Sequence, residues 1–170
     1  MKIEFRQLSS DDGKDIYDML QEIPKDENGF TNNVNGKTFE EFKQWLLRQE
    51  EIANGIGLED WMVSSNTYWL YVDNVPVGMG KFRHCLTDKL REEGGHCGYA
   101  VRTSQRNKGY GNFIMRRLIE KARERNIDKL LLTIQISNIP SLKVALSCSG
   151  KIERSSEQRH YIWIDVEEKS

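Results

Sequence analysis

Three prolines, three cysteines and no long apolar run in 170 residues exclude several kinds of protein at once. A membrane-spanning helix needs roughly 18 consecutive apolar residues, and none is present. Cys85, Cys97 and Cys148 are odd in number and unclustered, so neither a disulfide framework nor a zinc knuckle is indicated. The thiols read as small core residues in a reduced, cytoplasmic setting. No N-terminal stretch joins a charged start to an apolar middle, so no secretory signal is expected. Charge of one sign is also missing: 25 Lys and Arg stand against 26 Asp and Glu, a net charge of −1. That balance argues against a dedicated nucleic-acid binder. Without repeats, linkers or low-complexity segments, residues 1–170 read as a single domain large enough for its own core.

What is present is an alternation of strand and helix signals. Residues 2–7 alternate as a strand, and Asp11 to Ile23 fits a short helix stopped by Pro24. The stretch 24–37, rich in Asn, Gly and Asp, reads as a loop. Thr38 followed by Glu41 forms a capping-box pattern and opens a helix to about Ile52. Trp69 to Val72 and Val75 to Phe82, joined by Asp73-Asn74, predict a hairpin. Leu86 to Glu93 offers one or two helical turns. A strand at 96–101, a helix at about 109–125, an almost wholly apolar strand at 129–136 and a helix at about 138–149 follow. Tyr161 to Val166 closes the series, after a short strand near residues 151–153.

The most informative stretch is Val101-Arg102-Thr103-Ser104-Gln105-Arg106-Asn107-Lys108-Gly109-Tyr110-Gly111. A strand passing through a glycine-bearing loop into a helix N-terminus forms an anion site, because the first helical amides lack intrahelical partners and the dipole favours negative charge. A P-loop would need Gly-x-x-x-x-Gly-Lys-Ser/Thr, which is absent. A dinucleotide fingerprint needs a third glycine, and position 114 is Ile.

The remaining pattern, Arg-x-x-Gly-x-Gly after a strand ending in Val101, resembles the acetyl-CoA loop of the GNAT superfamily of N-acetyltransferases. Leu130-Leu131-Leu132-Thr133-Ile134 and Asn138-Ile139-Pro140-Ser141 are similar to the family's next strand and last helix. Asp26 to Phe30, Tyr68-Trp69-Leu70, Arg83-His84 and Gly94 to Tyr99 resemble one bacterial subfamily of predicted acetyltransferases. The resemblance implies an α/β (α+β) fold with a mixed, mostly antiparallel sheet flanked by helices, whose fourth and fifth strands splay to admit acetyl-CoA.

It also implies roles. Ala100, Val101 and Thr103 would run along the pantetheine arm, Arg106, Asn107, Lys108, Gly109, Tyr110 and Gly111 would hold the pyrophosphate, and Asn138 and Ser141 would face the cofactor from the last helix. Expected activity is transfer of an acetyl group to a primary amine by direct attack in a ternary complex, with a small-molecule acceptor preferred; a non-catalytic CoA or acyl-CoA sensor is the rival. A homodimer is left open.

Histidine is the natural base near neutral pH. His96 shares a face with Gly98 and Ala100 by alternation, and His84 follows Arg83 at a strand end, so these two are the catalytic candidates. Glu27, Asn28, Phe30 and Trp69 are the candidate acceptor ligands. Seven acids between Asp11 and Phe30 suit either a cationic acceptor or a solvated helix face. Three departures from the family pattern bear on chemistry. Thr103 stands where proline is common, and Lys151 follows Gly150 where phenylalanine is common. Ala145 stands where many members carry the tyrosine that protonates the leaving thiolate, leaving Ser147 as the nearest hydroxyl.

Overall fold

Two antiparallel sheets touch at one point and diverge from it. In the computed structural model, which describes residues 1–167, the first sheet runs β1 (Ile3–Gln7), β4 (Ser65–Val72), β5 (Val75–Arg83), β6 (Cys97–Val101). The second runs β7 (Lys129–Gln135), β9 (Arg159–Asp165), β8 (Lys151–Ser155). A two-stranded hairpin of β2 (Asp26–Glu27) and β3 (Phe30–Thr31) stands apart. The splayed fourth and fifth strands expected from the resemblance are β6 and β7 here.

Burial divides the first sheet's residues between two helical layers. Strand β4 is buried along its whole length, so its second half, Tyr68 to Val72, is a continuous aromatic and apolar run instead of an alternation. Trp69 and Tyr71 pack with Ile16, Met19 and Leu20 of α1 (Lys14–Glu22) and with Phe42 and Leu46 of α2 (Phe39–Ala53). Tyr68, Leu70 and Val72 face the other way, into a cluster with Ile114, Met115 and Leu118 of α4 (Tyr110–Glu124) and Ala145 of α5 (Ile139–Ser147). The buried residues of α1 recur three and four apart, which puts one stripe on the sheet. Its end is set by Pro24, which drives Ile23 to an extended φ of −80° and ψ of 124°. Thr38 and Glu41 form the expected capping box at the start of α2.

Three expectations about element bounds change. Helix α1 starts at Lys14, because the Asp12 carboxylate is spent on the Ser9 N–H and the Trp69 indole. Residues 24–37 are not all loop: Asn28 at φ 53° and Gly29 at φ 83° form the left-handed turn that closes the β2–β3 hairpin. Buried Asn32 ties that hairpin to α1 by donating to Leu20 O and Ile23 O at 2.8 Å each. Strand β4 begins four residues early, at Ser65. Its polar start, Ser65-Asn66-Thr67, hides a strand whose members pair with Arg83, Phe82 and Lys81. A short helix, α3 (Asp88–Glu92), precedes the glycines at 94 and 95. Among the described residues no helix is long and apolar enough to cross a membrane.

Candidate active site

The divergence of the two sheets starts at His96. Its carbonyl accepts Arg83 N–H of β5 at 2.7 Å, while its N–H donates to Leu131 O of β7 at 2.8 Å. The imidazole Nδ1 then accepts Leu131 N–H at 2.9 Å. Gly95 allows this close approach: a Cβ there would lie 2.4 Å from Leu131 O, and its φ is +60°. Beyond this point β6 and β7 share no ladder.

The bonds Arg83 N–H to His96 O and Arg102 N–H to Val77 O fix the alternation along β6. Gly98 and Ala100 direct their backbone polar groups to β5. Cys97, Tyr99 and Val101 direct theirs to the open side, where Val101 O already accepts from Arg106 Nε at 3.0 Å. The backbone of Ala100 is therefore turned to the ladder, correcting its expected place along the pantetheine arm, and Tyr99 presents the free groups instead.

At the far end of the open edge, Gly109 is the N-cap of α4 in the left-handed region, φ 81° and ψ 8°, with no side-chain cap. The first amides of α4, including that of Tyr110, thus lack a partner and face a cleft of about 660 Å³. No atom lies within 4 Å of where a Gly109 Cβ would stand, so the space above the helix end is clear. Asn107 is also left-handed, at φ 64°, and curls the loop toward the helix. Lys108 reaches Gln105 Oε1 at 3.0 Å on the exposed side.

The Arg106 side chain, expected at the pyrophosphate, and its loop neighbours are engaged elsewhere. Arg106 clasps the Glu27 carboxylate with two bonds of 2.6 and 3.1 Å across the cleft. Arg102 and Ser104 bind the Glu22 carboxylate, and Thr103 Oγ1 donates to Glu22 O at 2.8 Å, fastening the loop to the end of α1. Only backbone groups of Arg106 and Thr103 remain for a ligand. Opposite, Asn138 caps α5 by accepting Ser141 N–H, and Ser141 Oγ lies 3.2 Å from the Tyr99 hydroxyl.

On the other side of β6 lies a chamber under the β2–β3 hairpin. Phe30 covers Gly98, with ring atoms 3.3 and 3.5 Å from the position of a Cβ there. Asn28, Trp45, Trp61, Met79, Lys81 and Arg83 complete its walls. Trp69 is not among them: it is fully buried under α1 and α2, correcting its expected role as an acceptor ligand.

A family model for the Acetyltransferase (GNAT) family matches residues 17–150. The chain belongs to the GNAT acetyltransferase family. Among solved structures, the ribosomal-protein-S5-alanine acetyltransferase of Vibrio fischeri is 15% identical with a TM-score of 0.73, over 100% of this chain and 96% of that one. The N-acetyltransferase PseH of Campylobacter jejuni, in complex with acetyl coenzyme A, is 13% identical with a TM-score of 0.63, over 96% and 99%. A sequence comparison with curated proteins gives no match.

Neither candidate histidine of this GNAT chain is placed as a base. His96 is 6% exposed and outside the cleft wall, with Nδ1 taken by Leu131, so its proton sits on Nε2. Burial, aided by the charges of Arg91 and Arg83, pushes it down to about 4. The expectation failed because residue 96 sits at the fork, where its ring folds onto β7 instead of standing off the sheet. His84 Nε2 lies 2.6 Å from Asn66 Oδ1 and its ring packs on Phe82, again outside the cleft wall. Ser147 Oγ contacts Asn112 Oδ1 and Val144 O at 2.7 Å each, and Ala145 is fully buried in the core.

The shift of His96 makes a pH prediction. Its folded value lies below the unfolded one of 6.5, so as pH falls the unfolded chain takes up the proton first. Its contribution to stability is complete above about pH 6.5 and is lost between about 6.5 and 4. Urea titrations at pH 7.5 and 4 should show a fall of about 3 kcal/mol from this group, reduced in His96→Gln.

Proposed function

We propose that this single domain transfers an acetyl group from acetyl-CoA to the primary amine of a small molecule, by direct attack in a ternary complex. The observation that carries the reading is the open edge of β6, whose free backbone groups at Tyr99 and free N–H at Val101 lead to the uncapped, glycine-opened N-terminus of α4. A thioester carried on a long amide-bearing arm and ending in a pyrophosphate matches that sequence of donors. Acetyl-CoA supplies an activated acetyl group; the chain supplies alignment, which is worth up to about 7–11 kcal/mol in favourable cases.

The residues divide as follows. Val101 and Tyr99 hydrogen-bond the arm through their backbones, the amides around Gly109, Tyr110 and Gly111 hold the pyrophosphate, and Asn138 and Ser141 close the wall from α5. Cys97 borders the cleft, but burial pushes its thiol up to about 12, which leaves no thiolate to take the acetyl group and favours direct attack. Tyr99, in the cleft wall with its hydroxyl 3.2 Å from Ser141 Oγ, is the proton donor we propose in place of the tyrosine that Ala145 replaces. Burial raises its hydroxyl above the ordinary value, against the hydrogen bond from Ser141, so at neutral pH it is a proton donor.

Thiol release from acetyl-CoA with a panel of amines tests the reading. Turnover is expected, and Tyr99→Phe should lower kcat by about 10- to 100-fold with acetyl-CoA affinity within about threefold of wild type. Saturable binding of acetyl-CoA without thiol release from any amine would favour the non-catalytic sensor. An unchanged kcat in Tyr99→Phe would remove the tyrosine from the chemistry.

A further inference from the structure

The chamber under the β2–β3 hairpin carries an unbalanced charge. Four cations and two carboxylates border the cleft as a whole. Arg106 is paired with Glu27, and Arg159 with Glu93 at 3.2 Å. Lys81 and Arg83 remain, two residues apart on the same face of β5 as Met79, the face that Phe30 covers. Arg83 donates Nη1 to Gly94 O and Gly95 O at 3.2 Å each and has no carboxylate partner, so part of its guanidinium fork is unused. Lys81 makes no hydrogen bond or ion pair with any described residue. Every acid of the cleft wall is spent, whereas two cations of its floor are not.

Lys81 is half-buried in the cleft wall with no partner among the described residues, and the cost of desolvation there pushes it down to about 8. A ligand that brings a carboxylate would relieve that cost, and a polyamine or other purely cationic acceptor would raise it. The other acids of the N-terminal region do not alter the balance: Asp11 and Asp26 are exposed and outside the cleft wall, and the rest are paired. Asp12 binds Trp69, Asp15 binds Tyr71, Asp18 binds Lys14, and Glu22 binds Arg102.

We infer that Lys81 and Arg83 form an anion subsite for the acetyl acceptor, which is an amine that also carries a carboxylate, of the amino-acid class. Lys81 gives a point charge and Arg83 a planar fork, the pair that suits a carboxylate entering between them. The aromatic faces of Phe30, Trp45 and Trp61 give room for an apolar side chain beside it. The inference rests on the acetyltransferase reading and narrows its acceptor.

The test compares the common amino acids with their amides and their decarboxylated amines, using thiol release by the whole protein with acetyl-CoA. In wild type, at least one amino acid should exceed its own amide by about 10- to 100-fold in kcat/KM, the scale of hydrogen bonds to a charged group. Lys81→Met keeps the length and removes the charge; it should raise the amino acid's KM and shrink that preference to within about fivefold. A merely structural lysine would leave the ratio unchanged. In parallel, calorimetry on the CoA-loaded protein should show an N-acetyl amino acid binding more tightly than its amide. Amides or simple amines used as well as amino acids, or a preference that survives Lys81→Met, would overturn the subsite while leaving the transferase reading intact. With no turnover at all, equal binding of the two N-acetyl compounds would overturn it as well. Failure of wild type to bind acetyl-CoA would overturn both.

Discussion

Gly109→Val is expected to abolish measurable acetyl-CoA binding in a protein that still folds. Gly109 adopts φ 81°, and a β-branched residue held there would cost on the order of 1–3 kcal/mol of strain. That cost is tolerable for a domain of this size, and no neighbour lies within 4 Å to add a clash. The branch would instead stand in the cleared space above the free amides of α4, where the pyrophosphate is proposed to sit. A loss of more than about 100-fold in affinity by calorimetry, equivalent to about 2.7 kcal/mol, is the expected result, with Gly109→Ala between the two. Affinity equal to wild type would remove the loop from the cofactor site.

Gly95→Val should have the largest effect on stability. A Cβ at 2.4 Å from Leu131 O cannot be accommodated by moving a flexible side chain, because all three nearest atoms are backbone. Left-handed strain and overpacking together should lower the unfolding free energy by about 3–5 kcal/mol. For this length, that shift corresponds to a fall in Tm of roughly 10 °C or more. Hydrogen exchange should locate the damage at the Leu131 amide, whose acceptor is the His96 ring. A variant melting within a degree or two of wild type would mean that the sheets are not pinned there.

The general plan was legible in the sequence because it depends on local signals. Thr38 with Glu41, the Asn138 cap, the Asp73-Asn74 turn and the apolar run of β7 each determine their element without distant help. The uncapped, glycine-opened end of α4 was readable for the same reason, since strand, left-handed glycine and helix lie within a dozen residues. The orientation of β6 was not, because which residues face the open edge depends on its register against β5. The histidines misled because chemical type was visible and position was not: His96 lies one residue before the strand, at the fork. Trp69 looked like a ligand because nothing local shows that α1 and α2 both cover it. Lys81 and Arg83 gave a signal, a lysine and an arginine at strand spacing in an otherwise apolar-leaning run, Val75 to Arg83, but not the lack of a carboxylate partner on which the proposed subsite rests.

The clasp between Arg106 and Glu27 would tie the affinities of the two proposed ligands together wherever a phosphate draws the guanidinium away from Glu27. One partner comes from the loop beside α4, the other from the hairpin over the acceptor chamber, and the guanidinium cannot serve Glu27 and a phosphate at once. Whatever factor a phosphate gains or loses by detaching Arg106, the occupant of the chamber gains or loses in turn, since binding free energies are reciprocal. With both proposed ligands bound, a single ion pair would make the two halves of the cleft one thermodynamic system, and affinities measured for either alone would not describe the pair.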